Sequence, residues 1–112
     1  DRAAFFIMNY LFVYDNARNI LEVSEDTVRK FLGNWYMRKL WNPSIRGINS
    51  YLKAISDFYV FLKDRGFISR DKLSEIKDVC KDTAWFEMRL QTYFEAHGDD
   101  FFNWIQEYNY EW

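Results

Sequence analysis

Pro43-Ser44-Ile45-Arg46-Gly47-Ile48-Asn49-Ser50-Tyr51-Leu52-Lys53-Ala54-Ile55-Ser56-Asp57-Phe58-Tyr59-Val60-Phe61-Leu62-Lys63-Asp64-Arg65-Gly66 is the stretch on which the fold turns. Ile45, Ile48, Leu52, Ile55, Tyr59 and Leu62 advance by +3, +4, +3, +4, +3, the spacing of one face of an α-helix. Tyr51 and Phe58 widen that stripe on one side. Asn42 reads as the cap of this helix and Pro43 as its first residue, where the missing N–H costs nothing. Gly66 is expected to end it in the left-handed conformation.

Working outward, the same period recurs on both sides. Ser24 is a good N-cap, followed by Glu25 and Asp26 at the positive end of the helix dipole. Val28, Phe31, Leu32, Trp35 and Tyr36 then recur at three and four. An earlier helix is expected from about Ala3 to Leu21, with Phe5, Met8, Leu11, Phe12, Ala17 and Leu21 inward. Downstream, Ser69 caps a helix to about Cys80, with Leu73, Ile76 and Cys80 inward. Asp82 is placed to recap the chain, and residues 84–96 continue helically to Gly98. A last amphipathic segment carries Phe101, Trp104, Ile105, Tyr108 and Trp112. No alternation of strand type persists and no segment repeats, so the chain reads as all-α, a small helical bundle of one domain over residues 1–112.

Composition agrees with that reading and narrows the function classes. The 112 residues suffice for one hydrophobic core. Four Gly and one Pro leave little room for linker. Phe 11, Tyr 8 and Trp 5 make 21% of the chain aromatic. Each ring buries about 150–250 Å², so few inward positions build a stable core and some rings are left for the surface. Trp35, Tyr36, Trp41, Trp85, Phe86 and Trp104 fall mostly at helical spacing and are expected in the core. The consecutive rings of Tyr108-Asn109-Tyr110-Glu111-Trp112 cannot all face one core, so part of that tail is a candidate docking surface.

Cys80 is the only cysteine and His97 the only histidine. Neither an intrachain disulfide nor a Cys/His zinc site can be assembled from them, and a reducing, cytoplasmic setting is expected. No stretch approaches the ~18 uncharged apolar residues of a membrane span. The apolar run 3–14 lacks a basic leader and a small-residue cleavage site, so it reads as a buried helix and not a signal peptide. Asp1 is not an initiator Met, and the chain is expected to be trimmed or part of something longer.

Catalysis finds little footing. His97 lies in Glu95-Ala96-His97-Gly98-Asp99-Asp100 beside a helix end, where an exposed C-cap turn is the simpler reading than a carboxylate–histidine metal or acid/base site. Asp99-Asp100 and Glu25-Asp26 stand at helix starts, where the dipole favours them. No phosphate-cradling Gly loop and no dinucleotide fingerprint occur. The expectation is no enzyme, no catalytic residue, no cofactor and no metal.

Charge is more informative. Residues 24–81 hold twelve Lys/Arg against seven Asp/Glu, whereas residues 82–112 hold one Arg against seven acids. A basic middle and an acidic tail can attract each other or face different partners. Arg38, Lys39, Arg46, Lys53, Lys63 and Arg65 lie off the apolar stripe. Arg46 and Lys53 are seven apart, on one helical face, with Asn49 between them. Such a face can contact phosphates, and Asn can read a base edge. It can equally be a solvated bundle face balanced by Asp57 and Asp64.

Residues 44–68 resemble the core-binding, SAM-like domain of tyrosine recombinases and phage integrases. The resemblance rests on a Ser/Thr helix start, the ladder Phe58-Tyr59-Val60-Phe61-Leu62 and Gly66-Phe67-Ile68, and it extends upstream through Ser24-Glu25-Asp26-Thr27 to about residue 5. It implies a four-helix SAM-like core over residues 5–68, clamping duplex DNA opposite a separate catalytic domain. The acidic, aromatic helical part, residues 69–112, would then be an extension. By position, Arg38, Lys39, Arg46, Asn49 and Lys53 would face the DNA. The family's catalytic Arg, His-x-x-Arg and Tyr set is absent from these residues. Asn-Pro after the Gly-x-Ile is replaced by Ser69-Arg70-Asp71-Lys72.

A shorter likeness runs from Phe31-Leu32-Gly33-Asn34-Trp35 to Arg38-Lys39. It resembles a Phe-Leu-x-x-Trp…Arg-Lys signature of helical domains of unknown function, which implies the fold reused without recombination. On that alternative the chain is a protein-interaction or self-association domain, docking through Phe101, Trp104, Tyr108 and Trp112.

Overall fold

Ser24 opens the first long helix by reciprocal capping. Its hydroxyl accepts from the Thr27 N–H at 3.4 Å, and its own N–H donates to Thr27 Oγ1 at 3.1 Å. A computed structural model describes residues 20–39, 43–96 and 98–107, and every regular element among them is helical. After a 3₁₀ turn at Ile20–Glu22, helix α1 runs over residues 25–39. It is α-helical at Glu25–Lys30, widens to a π-helical turn at Phe31–Trp35, and returns to α-helix at Tyr36–Lys39. Helix α2 is Ile45–Asp64, α3 is Arg70–Cys80, α4 is Thr83–Glu95 and α5 is Asp99–Gln106. The domain is an all-α small helical bundle. The helix expected over residues 3–21 lies outside the described residues, except for its last two positions.

The apolar stripe of α2 packs as its spacing requires: Ile48, Leu52, Ile55, Tyr59 and Leu62 are buried, with Tyr51 beside them and Ile45 and Phe58 half-buried. Tyr51 is the hinge of the α1–α2 contact, its ring edge-on to both Phe31 and Tyr36 at 5.4 Å between centroids. Edge-to-face pairs of this kind add about 0.5–1.5 kcal/mol beyond their buried area. Val28, Phe31, Leu32, Trp35 and Tyr36 of α1 are all buried, as their spacing predicts. The start of α2 corrects the sequence reading. Ser44, not Asn42, is the N-cap: its backbone is extended and its Oγ accepts from the Gly47 N–H at 3.1 Å. The Ser hydroxyl satisfies a first-turn donor that Pro43, one residue before the cap, leaves untouched.

At its other end α2 closes as expected. Gly66 has φ +80°, its N–H donates to Lys63 O and the Phe67 N–H to Leu62 O, both at 2.9 Å. This is the paired-bond C-terminal motif that needs a left-handed residue.

Helix α3 lies along α2 and ties down α1. Ile76 and Val79 are buried, while Leu73 and Cys80 are only half-buried. Glu75 accepts from the Glu25 N–H at 2.7 Å, and Lys72 donates to Val23 O at 3.0 Å. That hydrogen bond from the α1 backbone holds the Glu75 carboxyl below the usual carboxylate range. Tyr59 donates to Ile20 O at 2.7 Å, and burial pushes its phenol up.

The last two helices are joined to α1 by a residue that sequence periodicity does not flag. Arg89 is 1% exposed. Its Nε donates to Gly33 O (2.9 Å) inside the π-helical turn, its Nη2 to Trp104 O (3.2 Å), and its Nη1 to the Glu107 carboxylate (3.1 Å). Asn34, also buried, donates to Ile105 O at 2.7 Å. Two of the last carbonyls of α5, which no residue of their own helix can satisfy, are thus bound by side chains from α4 and α1. Gly33 permits this approach: a Cβ there would stand 2.7 Å from the Trp85 ring.

Candidate nucleic-acid interface

Helix α2 turns its polar side toward the end of α3, and between them lies a groove of about 360 Å³. Asn49, Lys53 and Ser56 form the α2 wall, Lys77 and Lys81 the opposite one, and Thr83 of α4 closes one end. Both walls follow from helical spacing. Asn49, Lys53 and Ser56 step by four and three, and Lys77 and Lys81 by four, so each set shares a face. The inward positions of the same helices, Leu52 and Ile76, are buried.

Three ammonium groups face one carboxylate among the residues lining this groove. That carboxylate is Asp57, which accepts from Lys53 Nζ at 2.9 Å in an exposed i,i+4 pair. Pairs this exposed contribute little to stability, and the ammonium is readily given up to a better anion. The first turn of α4 opens beside the groove and adds the positive end of a helix dipole. Asp82, expected to cap α4 with its side chain, holds the N-cap position but makes no cap hydrogen bond. Its carboxylate instead accepts from Arg29 Nη2 at 2.9 Å, and Arg29 also pairs with Glu25. Burial lowers the Arg29 pKa, and these two carboxylates more than reverse that. Cys80 lines the groove as well, its thiol pushed up to about 12 by burial and so protonated at neutral pH.

Of the five residues expected on the DNA face, the structure brings two into the groove. Asn49 and Lys53 line the groove, and Arg46 is exposed on the same face of α2, one turn earlier. Arg38 and Lys39 line no part of it. Arg38 is half-buried and donates to Asn34 Oδ1 at 2.6 Å, so it belongs to the network that holds α5. Lys77 and Lys81 were not singled out from sequence. Their signal was an i,i+4 lysine pair at the end of a short helix beyond the recombinase-like stretch.

The aromatic C-terminal part is also rearranged. Trp104 is buried, packed on Tyr93 at 5.1 Å and donating from Nε1 to Thr92 Oγ1 at 3.0 Å, so it is not available for docking. Phe101 is half-buried and stacked on Trp104. Periodicity assigned both rings to one amphipathic face, and that face is used internally. Phe102 and Phe94 are the exposed rings instead. Tyr108 and Trp112, together with His97 and Trp41, lie outside the described residues.

Among the described residues no group of three or more His, Cys, Asp or Glu side chains is arranged to hold a metal ion. No helix there is long and apolar enough to cross a membrane. No known family model matches the chain, and no characterised protein or solved structure matches it significantly.

Proposed function

We propose that this chain is a non-catalytic helical domain that clamps duplex DNA through its phosphates, in a reducing, cytoplasmic setting. This is the role implied by its resemblance to recombinase core-binding domains. The observation that carries the reading is the convergence of Lys53, Lys77 and Lys81, from two helices, on one groove. Arg46 extends the basic line along α2. No residue of the acidic helix α5 lines the groove, and the described part of the acidic segment contributes only Thr83 to it.

Phosphate contacts of this kind release counterions, about 0.9 per neutralised phosphate in the slope of log affinity against log salt. Four contacts, from Arg46 and the three lysines, give a slope of roughly −3 to −4. Fluorescence anisotropy with a labelled duplex should therefore show affinity falling roughly a hundredfold between about 50 and 200 mM salt. Reversing Arg46 and Lys53 to Glu should flatten the slope by nearly two. An unchanged slope would remove this face from the binding surface.

A second reading has its own observation. Phe94 and Phe102, from α4 and α5, are 58% and 56% exposed, and they suit a protein-interaction or self-association role better than Phe101 and Trp104 do. Sizing of the Phe94→Ser/Phe102→Ser protein against wild type tests it: an identical elution volume across concentration speaks against self-association through these rings.

A further inference from the structure

The groove is lined by three ammonium groups, the Asn49 amide, the hydroxyls of Ser56 and Thr83 and the Asp57 carboxylate, together with Leu52 and Cys80. Among the described residues that line it there is no aromatic ring and no guanidinium. Single-strand binders hold successive bases on aromatic platforms. Sequence readers rely mainly on the planar, bidentate fork of Arg or on Asn/Gln set against a base edge. Lysine is a point charge on a flexible stem and satisfies phosphate oxygens without demanding a fixed geometry. Asn49 carries the amide suited to a bidentate base contact, and it stands one turn from Lys53 on a wall shared with Leu52, Ser56 and Asp57. A volume of about 360 Å³ accommodates a phosphate with its flanking sugar.

We infer that the groove between α2 and α3 is a phosphodiester-backbone site, with Lys77 and Lys81 as its principal contacts, that takes double-stranded nucleic acid without regard to base sequence. This rests on the DNA reading above and goes further, by naming the α3 wall and by excluding base readout and single-strand stacking. Asp57 acts within it as a local opponent: it neutralises Lys53 in the free protein and must be displaced when a phosphate enters.

The test is one anisotropy series on the intact chain at about 50 mM salt. It uses an A·T-rich duplex, a G·C-rich duplex of the same length and one of their single strands. The two duplexes should bind within about threefold of each other and the single strand more weakly, since its lower charge density gives about −0.7 per contact in place of −0.9. Lys77→Glu/Lys81→Glu should weaken both duplexes at least tenfold while keeping the wild-type circular dichroism and melting temperature. Asn49→Ala should affect both duplexes equally. A preference above tenfold for one duplex, or tighter single-strand binding, overturns the backbone assignment. Full duplex affinity in the α3 double variant overturns the site yet leaves DNA binding by Arg46 and Lys53 standing. No binding to any of the three removes the DNA reading itself.

Discussion

The guanidinium carbon of Arg89 lies 3.8 Å from the ring centroid of Trp104, and its Nη2 donates at 3.2 Å to the main-chain carbonyl of the same residue. One side chain of α4 thus holds both the indole and the backbone of α5. With its third contact at Gly33 O, Arg89 ties three helices together at a point where an apolar residue would satisfy none of the carbonyls. Without Arg89 two buried carbonyls lose their side-chain donor, at about 1–3 kcal/mol each, and the volume of the side chain is left empty. Arg89→Ala should therefore lower the urea midpoint severely or abolish folding. Glu107→Gln leaves the carbonyl and indole contacts of Arg89 in place and should cost less than Arg89→Ala. Equal losses in the two variants would show that the ion pair, and not the carbonyl and indole contacts, is what Arg89 supplies.

Gly33 makes a sharper test of the same junction. Its added methyl would meet Trp85 Cη2 and Cζ3 at 2.7 Å, in a core that cannot yield without moving the Arg29 and Arg89 guanidiniums stacked near that ring. Gly33→Ala should destabilise by about 1–3 kcal/mol, the usual cost of overpacking, although alanine is intrinsically the better helix former. Chemical denaturation decides it, and a stabilised variant would contradict the packing described at Trp85.

How much of this was legible beforehand depended on whether a contact was local. The α2 stripe, the Ser24 cap, the Gly66 stop and the inward face of α1 follow from spacings of three and four within one segment, and the structure has them. Asn42-Pro43 and Ser44 are both good helix starts by residue type, and only tertiary placement selects Ser44. Arg89 was invisible for a different reason. It occupies a core position three residues after Phe86 and four before Tyr93, yet charge alone argues for the surface. Its partners Gly33 and Trp104 are 56 and 15 residues away. The groove was half legible. Its α2 wall shares one helix, whereas its α3 wall depends on how two helices cross.

Helix starts give a prediction of moderate size. Ser44→Ala removes the acceptor of the Gly47 N–H and should cost about 1 kcal/mol, measurable as a shift in the urea midpoint with no change in slope. Ser44→Asp should retain most of that stability, because the carboxylate both accepts the bond and favours the positive end of the dipole.

Alkaline pH should weaken the fold. The Cys80 thiol is pushed up from 9.0 to about 12 in the folded protein by burial. The folded state therefore keeps a proton that the unfolded chain releases. Stability from this group is complete below pH 9 and is lost as pH rises from 9 toward 12, by about 1.4 kcal/mol per pH unit at most. Tyr59, raised above its ordinary 10.0, acts in the same direction from pH 10 upward. Cys80→Ala should flatten the stability profile between pH 9 and 10. An identical slope in wild type and variant would place the loss elsewhere.

Asp57 should oppose DNA binding. It is the one carboxylate among the described residues that line the groove, and it holds Lys53 at 2.9 Å. An exposed unit charge at this range is worth about 1 kcal/mol in water, so Asp57→Asn should tighten duplex binding about fivefold at low salt. Weaker binding in that variant would mean that Asp57 positions Lys53 for the phosphate and does not compete with it.

The most direct test of the central claim is a map of amide shift changes on adding a short duplex to the isotopically labelled protein. Changes should concentrate at Asn49, Lys53, Ser56, Lys77, Lys81 and Thr83, fade as salt is raised, and spare Phe94 and Phe102. Changes centred on Phe94 and Phe102, or a spectrum untouched by duplex at low salt, would contradict it.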